Sequence, residues 1–211
     1  MGDADRPQGP ASRTRESYDA IAELFRARTS DRTWGRETLD RFAARLGARR
    51  LVLDVGAGPG ADAAELRQRG LRVISVDLSL GMLRSGLRDY PGPRVQADMA
   101  RLPFRAIADG LWVNASLLHV ARAQVPAVLR ELRRVLHDPG ILHVSVKLGA
   151  NDGWDTTRYG GENPRWFTYW QPEAFDAALA AAGFGIVEAE LRQGTRDAWL
   201  LRLCSAARSS D

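Results

Sequence analysis

The spacing of apolar positions changes in a regular way along this chain. Over residues 16–28, Tyr18, Ile21, Ala22, Leu24 and Phe25 recur at helical spacing, and Trp34, Leu39, Phe42, Ala43 and Leu46 repeat that spacing before Gly47. Two helices are therefore predicted ahead of the first strand. LVLDV (residues 51–55) reads as a short buried strand, residues 61–69 as a helix closed by Gly70, and LRVISVD (71–77) as a second strand. Ser79 is placed to cap a helix running towards Tyr90, where PGP signals a turn. RVQAD (94–98) and GLWVNA (110–115) read as the third and fourth strands, residues 123–136 as an amphipathic helix, and ILHVSVKL (141–148), entered through the turn DPG, as the fifth strand. Strands separated by helices predict an α/β fold, Rossmann-like and doubly wound, with a mostly parallel sheet of about seven strands covered on both faces.

The rhythm breaks after residue 148. Residues 149–165 are rich in Gly, Asp and Asn and read as a long loop, part of a substrate-side segment expected over 149–170. A helix over 172–182 follows. FGIVEAEL and DAWLLRLC, joined by RQGTR, then predict a C-terminal antiparallel hairpin. Residues 1–14 show no apolar periodicity and read as a disordered tail. A single domain is expected over 15–205, with cap helices over 15–47 and a short tail over 206–211.

Composition narrows the class only a little. The 211 residues, 45% apolar and 27% charged, suit one soluble globular domain. No stretch approaches the ~20 apolar residues of a membrane span, and MGDADRPQGP lacks the apolar core of a secretory signal, so a cytoplasmic location is the default expectation. A single cysteine, Cys204, excludes an intrachain disulfide and a cysteine-built zinc site, and its apolar neighbours predict an inert buried thiol. Of 30 basic residues every one but Lys147 is arginine, yet the net charge is only +4. The arginines are interleaved with acids, which points to a solvated surface and not to a nucleic-acid face.

Candidate chemistry starts at the glycine-rich turn after the first strand. Gly56, Ala57, Gly58 and Gly60 let backbone approach a ligand closely, and Asp77 ends the second strand roughly 20 residues on, where it can accept from ribose hydroxyls. A nicotinamide dinucleotide would be served as well by these features alone. Among the histidines, His143 falls in a strand and His137 at a helix end, both structural positions. His119 lies beyond the fourth strand, at the carboxyl edge where ligands bind in open parallel sheets, and is the candidate general base. Asp152, Asp155 and Glu162, with Trp154, Tyr159, Trp166 and Tyr169, are candidates for touching substrate, and the dense aromatics are expected to anchor the long segment more than to line a pocket.

From Tyr18 to Cys204 the sequence resembles the class I S-adenosylmethionine-dependent methyltransferases, of a bacterial type acting on small molecules. LVLDVGAGPG, VDLSLGML, QADMARLPF, ADGLWVNASLLHV and LRELRRVLHDPGILHVSVK match its segments in order, with the family's usual Pro-Gly-Gly reduced here to Pro139-Gly140-Ile141. The resemblance implies S-adenosyl-L-methionine as cofactor. By the same resemblance Asp54 would organise the glycine turn and the methionine ammonium, Asp77 would hold the ribose, and Leu78 and Met82 would border the adenine. Asp98 and the Met99 amide would bond the base, Asn114 would lie near the methionyl end, and Tyr18 would close over it. A small-molecule methyl acceptor is the implied partner, with no metal, no membrane and no nucleic acid. Two other readings stay open: an RNA methyltransferase, although Asn114-Ala115-Ser116-Leu117 lacks the Pro-Pro-aromatic platform of base-modifying enzymes, and a cofactor-binding partner protein without catalysis.

Overall fold

The computed structural model describes residues 9–29, 35–47, 50–159 and 162–206. Trp34, residues 207–211 of the second tail and the first eight residues of the expected N-terminal tail lie outside them, while Ala206 ends the last strand. Ten strands and six helices follow in the order α1 (Pro10–Arg28), α2 (Arg36–Leu46), β1 (Leu51–Val55), α3 (Ala61–Gln68), β2 (Arg72–Asp77), α4 (Leu80–Ser85), β3 (Arg94–Gln96) and β4 (Ala108–Val113). Then come α5 (Val125–Val135), β5 (Leu136–Leu148), β6 (Gly153–Asp155), β7 (Arg165–Phe167), β8 (Tyr169–Trp170), α6 (Pro172–Ala181), β9 (Phe184–Gln193) and β10 (Ala198–Ala206).

The main sheet runs β3-β2-β1-β4-β5-β10-β9, with β8 added beside β5. β1 pairs in parallel with β2 and β4, β2 with β3, and β4 with β5, while β10 is antiparallel to both β5 and β9. The predicted doubly wound sheet and its C-terminal hairpin are the observed ones. Successive residues of β1 serve opposite faces: Leu53 packs with Leu129, Leu132, Phe175 and Leu179 under α5 and α6, whereas Val52 packs with Leu39, Phe42, Leu66 and Trp112 under α2 and α3. A strand buried on both sides has no polar face, which is why LVLDV reads as a continuous apolar run. Each fully buried side chain of this size contributes roughly 1.5–3 kcal/mol.

Four expectations need correction. The first helix begins at Pro10, inside the segment read as a tail; proline fixes φ for a helical first turn, and Thr14 and Ser17 are buried by contacts with the distant β7. The helix after Ser79 stops at Ser85, because Arg94 takes the carbonyls of Gly86 and Tyr90 and holds the chain as turns. The DPG segment is part of β5 itself: Leu136 faces Ala108 and Ile141 faces Gly110, so residues 137–140 bulge out of the ladder. The segment 149–170 is not a plain loop, since β6 and β7 form a two-stranded antiparallel sheet and β8 joins the main sheet. Arg165, buried at 3% exposure, explains part of that order through its 2.9 Å bond to Asp155 directly across the ladder.

Candidate active site

The carboxyl ends of β1, β2 and β4 open into one cavity roofed by α1. Tyr18, Asp54, Gly56, Ala57, Gly58, Asp77, Leu78, Met82, Asp98, Met99, Asn114 and His119 all line it. Gly60 does not. It caps the start of α3 with φ +97°, and the space beside it is filled by the Arg94 guanidinium.

The turn after β1 is built for close approach. Gly56 has φ +77°, and a Cβ there would meet the Ser116 Cβ at 2.1 Å. Ser116 in turn donates to the Val55 carbonyl at 2.7 Å, tying the segment after β4 to the end of β1. The chain reaches Ser116 through Ala115, which holds φ +52°, a left-handed conformation costing about 1–2 kcal/mol for a residue with a side chain. That conformation is held by the Ser145 hydroxyl, which accepts from the Ala115 amide at 2.8 Å and donates to the Asn114 Oδ1 at 2.7 Å. The Asn114 amide group donates to Asp62 Oδ2 at 2.9 Å, and the same oxygen accepts from the Trp112 indole at 2.9 Å. Asn114 is thus fixed at both ends of its side chain.

Asp77 connects two walls of the cavity. Its Oδ2 accepts from the Gly58 amide and its Oδ1 from the Ser79 amide, both at 2.8 Å. Desolvation nevertheless pushes its pKa up to about 6, with nearby Asp19 adding to the rise and the two amides opposing it. Asp98 stands on the exposed rim, where its Oδ1 accepts from the Ala100 amide at 2.8 Å and shapes the loop after β3. Met82 is buried at 2% exposure and Leu78 is half-buried, so the apolar wall is also part of the packing around α4.

His119 faces Tyr18 across the cavity. Its Nε2 lies 2.7 Å from the Tyr18 hydroxyl, and its Nδ1 lies 2.6 Å from the Trp166 carbonyl. A carbonyl only accepts, so Nδ1 carries the proton and Nε2 accepts from Tyr18. Burial lowers the His119 pKa to about 3 against the Trp166 bond, and the Arg165 and Lys147 cations lower it further. Burial raises Tyr18 to about 12, opposed by Arg165. Both groups are therefore neutral near pH 7. The candidate base His119 thus meets the cavity through Tyr18, which engages its Nε2.

Sequence reasoning missed several cavity residues. Asp62 and Ser116 carry no motif, being distinguished only by the partners that folding brings to them. Thr14 and Arg15 were assigned to the tail or left aside, although both line the cavity. Asp19, which does not line the cavity itself, accepts from the Ser79 hydroxyl and the Gly81 amide beside it. Asp152 and Asp155 hold the segment in place: Asp152 accepts from Arg122 at 2.6 Å and from the Tyr169 amide at 3.1 Å, and Asp155 from Arg165 at 2.9 Å. Trp154 packs edge-on against Trp166, and Tyr159 lies by Phe25. His143 stacks on Trp112 at 4.0 Å, a structural position. Cys204 is fully buried, and desolvation lifts its thiol to about 12.

This strand order, the antiparallel strand between β5 and β9, and a cavity at the carboxyl ends define the class I S-adenosylmethionine-dependent methyltransferase architecture. Residues 53–144 match the model of the methyltransferase domain family. The chain is similar to a demethylmenaquinone methyltransferase of Beutenbergia cavernae, 42% identical over 118 residues, covering 54% of this chain and 47% of that protein. It thus spans about half the length of that curated relative. Among solved structures it resembles the 1,6-didemethyltoxoflavin-N1-methyltransferase of Burkholderia thailandensis, bound to 1,6-didemethyltoxoflavin and S-adenosylhomocysteine (TM-score 0.77, 22% identity, 97% of this chain and 93% of that one). It also resembles the magnesium protoporphyrin IX methyltransferase of Synechocystis PCC 6803 with bound S-adenosylmethionine (TM-score 0.75, 16% identity, 97% and 100%). No helix among the described residues is long and apolar enough to cross a membrane.

Proposed function

We propose that this chain transfers a methyl group from S-adenosylmethionine to an O, N or C nucleophile of a small organic acceptor. One observation carries the reading: a single cavity joins the glycine turn, the Asp77 carboxylate and the apolar Leu78, Met82 and Met99 to the hydrogen-bonded pair of Tyr18 and His119. The donor set fits the cofactor. Asp77 accepts from the ribose hydroxyls, Asp98 and the Met99 amide meet the adenine edge, and Leu78 and Met82 cover its face. Asp54, Gly56, Ala57, Gly58 and Asn114 hold the methionyl end, with Gly60 acting indirectly by starting α3. When bound, the cofactor supplies a methyl group already made electrophilic by its sulfonium.

What remains for the protein is alignment, exclusion of water and disposal of a proton. Tyr18 and His119 do the last. As a hydroxyl nucleophile is methylated, its proton passes to the Tyr18 oxygen while Tyr18 gives its own to His119 Nε2. A weak base suffices for a hydroxyl acceptor, because the methylated oxygen is far more acidic than an imidazolium. The Trp166 carbonyl keeps the ring in the tautomer this transfer needs.

Parallel titrations with S-adenosylhomocysteine and NADH, followed by methyl-labelled turnovers over phenols, amines and carboxylic acids, test the proposal. Binding of S-adenosylhomocysteine alone is expected, with at least one acceptor class labelled. Tyr18→Phe and His119→Ala should each slow that turnover by about 10²-fold. Binding of NADH instead would sink the reading, and tight S-adenosylhomocysteine binding with no labelled product would favour the non-catalytic alternative.

A further inference from the structure

Helix α1 is attached to both walls of the cavity by polar bonds. On the acceptor side Thr14 Oγ1 accepts from the Trp166 amide at 3.0 Å, Ser17 donates to the Pro164 carbonyl at 2.6 Å, and Tyr18 donates to His119. On the cofactor side the part-buried attachment is made by Asp19, with an Arg26–Asp89 ion pair further along the helix. The Asp19 Oδ1 accepts from the Ser79 hydroxyl at 2.6 Å and from the Gly81 amide at 2.8 Å, while Arg15 braces Oδ2 at 3.0 Å. Gly81 makes room for this: a Cβ there would lie 3.0 Å from the Asp19 Cα, carbonyl oxygen and Oδ1. Apolar packing adds to this through the buried Ile21 and Ala22 and through Phe25 against Tyr18 and Tyr159, while Leu24 is 42% exposed.

Ser79 passes the grip onward. Its hydroxyl also accepts from the Met82 amide, and its own amide donates to Asp77. Asp19 is thus one residue removed from the carboxylate proposed to hold the ribose. We propose that Asp19 is a positioning residue that clamps α1 to the first turn of α4 and sets how long the cofactor is retained. The inference rests on the cofactor reading above.

The test uses the full chain and S-adenosylhomocysteine as probe, with dissociation rates by stopped flow, affinity by calorimetry, and Tm. Asp19→Ala removes both hydrogen bonds to the start of α4, together with the Arg15 brace, and should speed release by about 10- to 100-fold. Gly81→Ala pushes a Cβ against Asp19 and displaces α1, so it should also speed release, by more than its fall in Tm accounts for. In the wild type, bound S-adenosylhomocysteine should slow hydrogen exchange of the α1 amides, and in Asp19→Ala it should not. Release within twofold of wild type in both variants overturns the clamp, as does a loss of affinity wholly matched by a fall in Tm. Absence of binding to the wild type is a distinct result, which overturns the cofactor reading and the clamp with it.

Discussion

Asp77 makes cofactor affinity depend on pH in a way that can be worked from the structure. Desolvation holds its pKa at about 6 in the cofactor-free protein. Ribose hydroxyls donate to the ionised carboxylate, so binding requires the proton to be off. Above pH 7 the dissociation constant for S-adenosylhomocysteine should be flat. Below pH 6 it should rise about tenfold per pH unit, which at pH 5 amounts to about 1.4 kcal/mol of lost binding. Calorimetric titration from pH 5 to 8 measures this directly, and Asp77→Asn should bind more weakly with the slope abolished. A flat profile in the wild type, or the same slope in Asp77→Asn, would refute the reasoning. The stability of the cofactor-free protein should move oppositely. Because the folded pKa lies above the unfolded value near 3.9, the contribution of Asp77 is fully present below that value and is lost as pH rises through 6. Cofactor binding should therefore raise Tm more at pH 8 than at pH 5.

Two further outcomes follow from the site. Gly56→Ala places a Cβ 2.1 Å from the Ser116 Cβ at φ +77°, so left-handed strain and steric overlap together should cost about 2–5 kcal/mol in denaturant unfolding; a loss under 1 kcal/mol would contradict the packing described. In nitrogen-15 spectra, His119 should stay neutral down to about pH 4 with its proton on Nδ1, and a ring that titrates near 6.5 would remove the Tyr18–His119 arrangement from consideration.

The sequence alone determined the layered architecture, since LVLDV, LRVISVD and ILHVSVKL are apolar on both faces and the helices between them carry one apolar stripe each. It also placed the glycine turn, Asp77 and the cap Ser79, because these depend on spacing within a few residues of the chain; the Ser79 hydroxyl does accept from the Met82 amide at 3.0 Å. Tertiary structure decided whatever rests on distant partners. Nothing local distinguishes Asp19 from the other acids of α1, or Asp62 from Glu65 on α3, until folding brings Ser79, Gly81, Trp112 and Asn114 to them. The segment after β5 has too little apolar periodicity to predict β6 and β7, whose order comes from the buried Arg165–Asp155 pair and from contacts with α1. His119 shows both limits. Its place at the edge of the sheet was legible in the order of the strands, but its tautomer, its low pKa and its bond to Tyr18 depend on a carbonyl 47 residues away and a hydroxyl 101 residues away. Pattern fixes which face a residue takes, while the protonation state and partners of a buried group are set by what the finished fold packs around it.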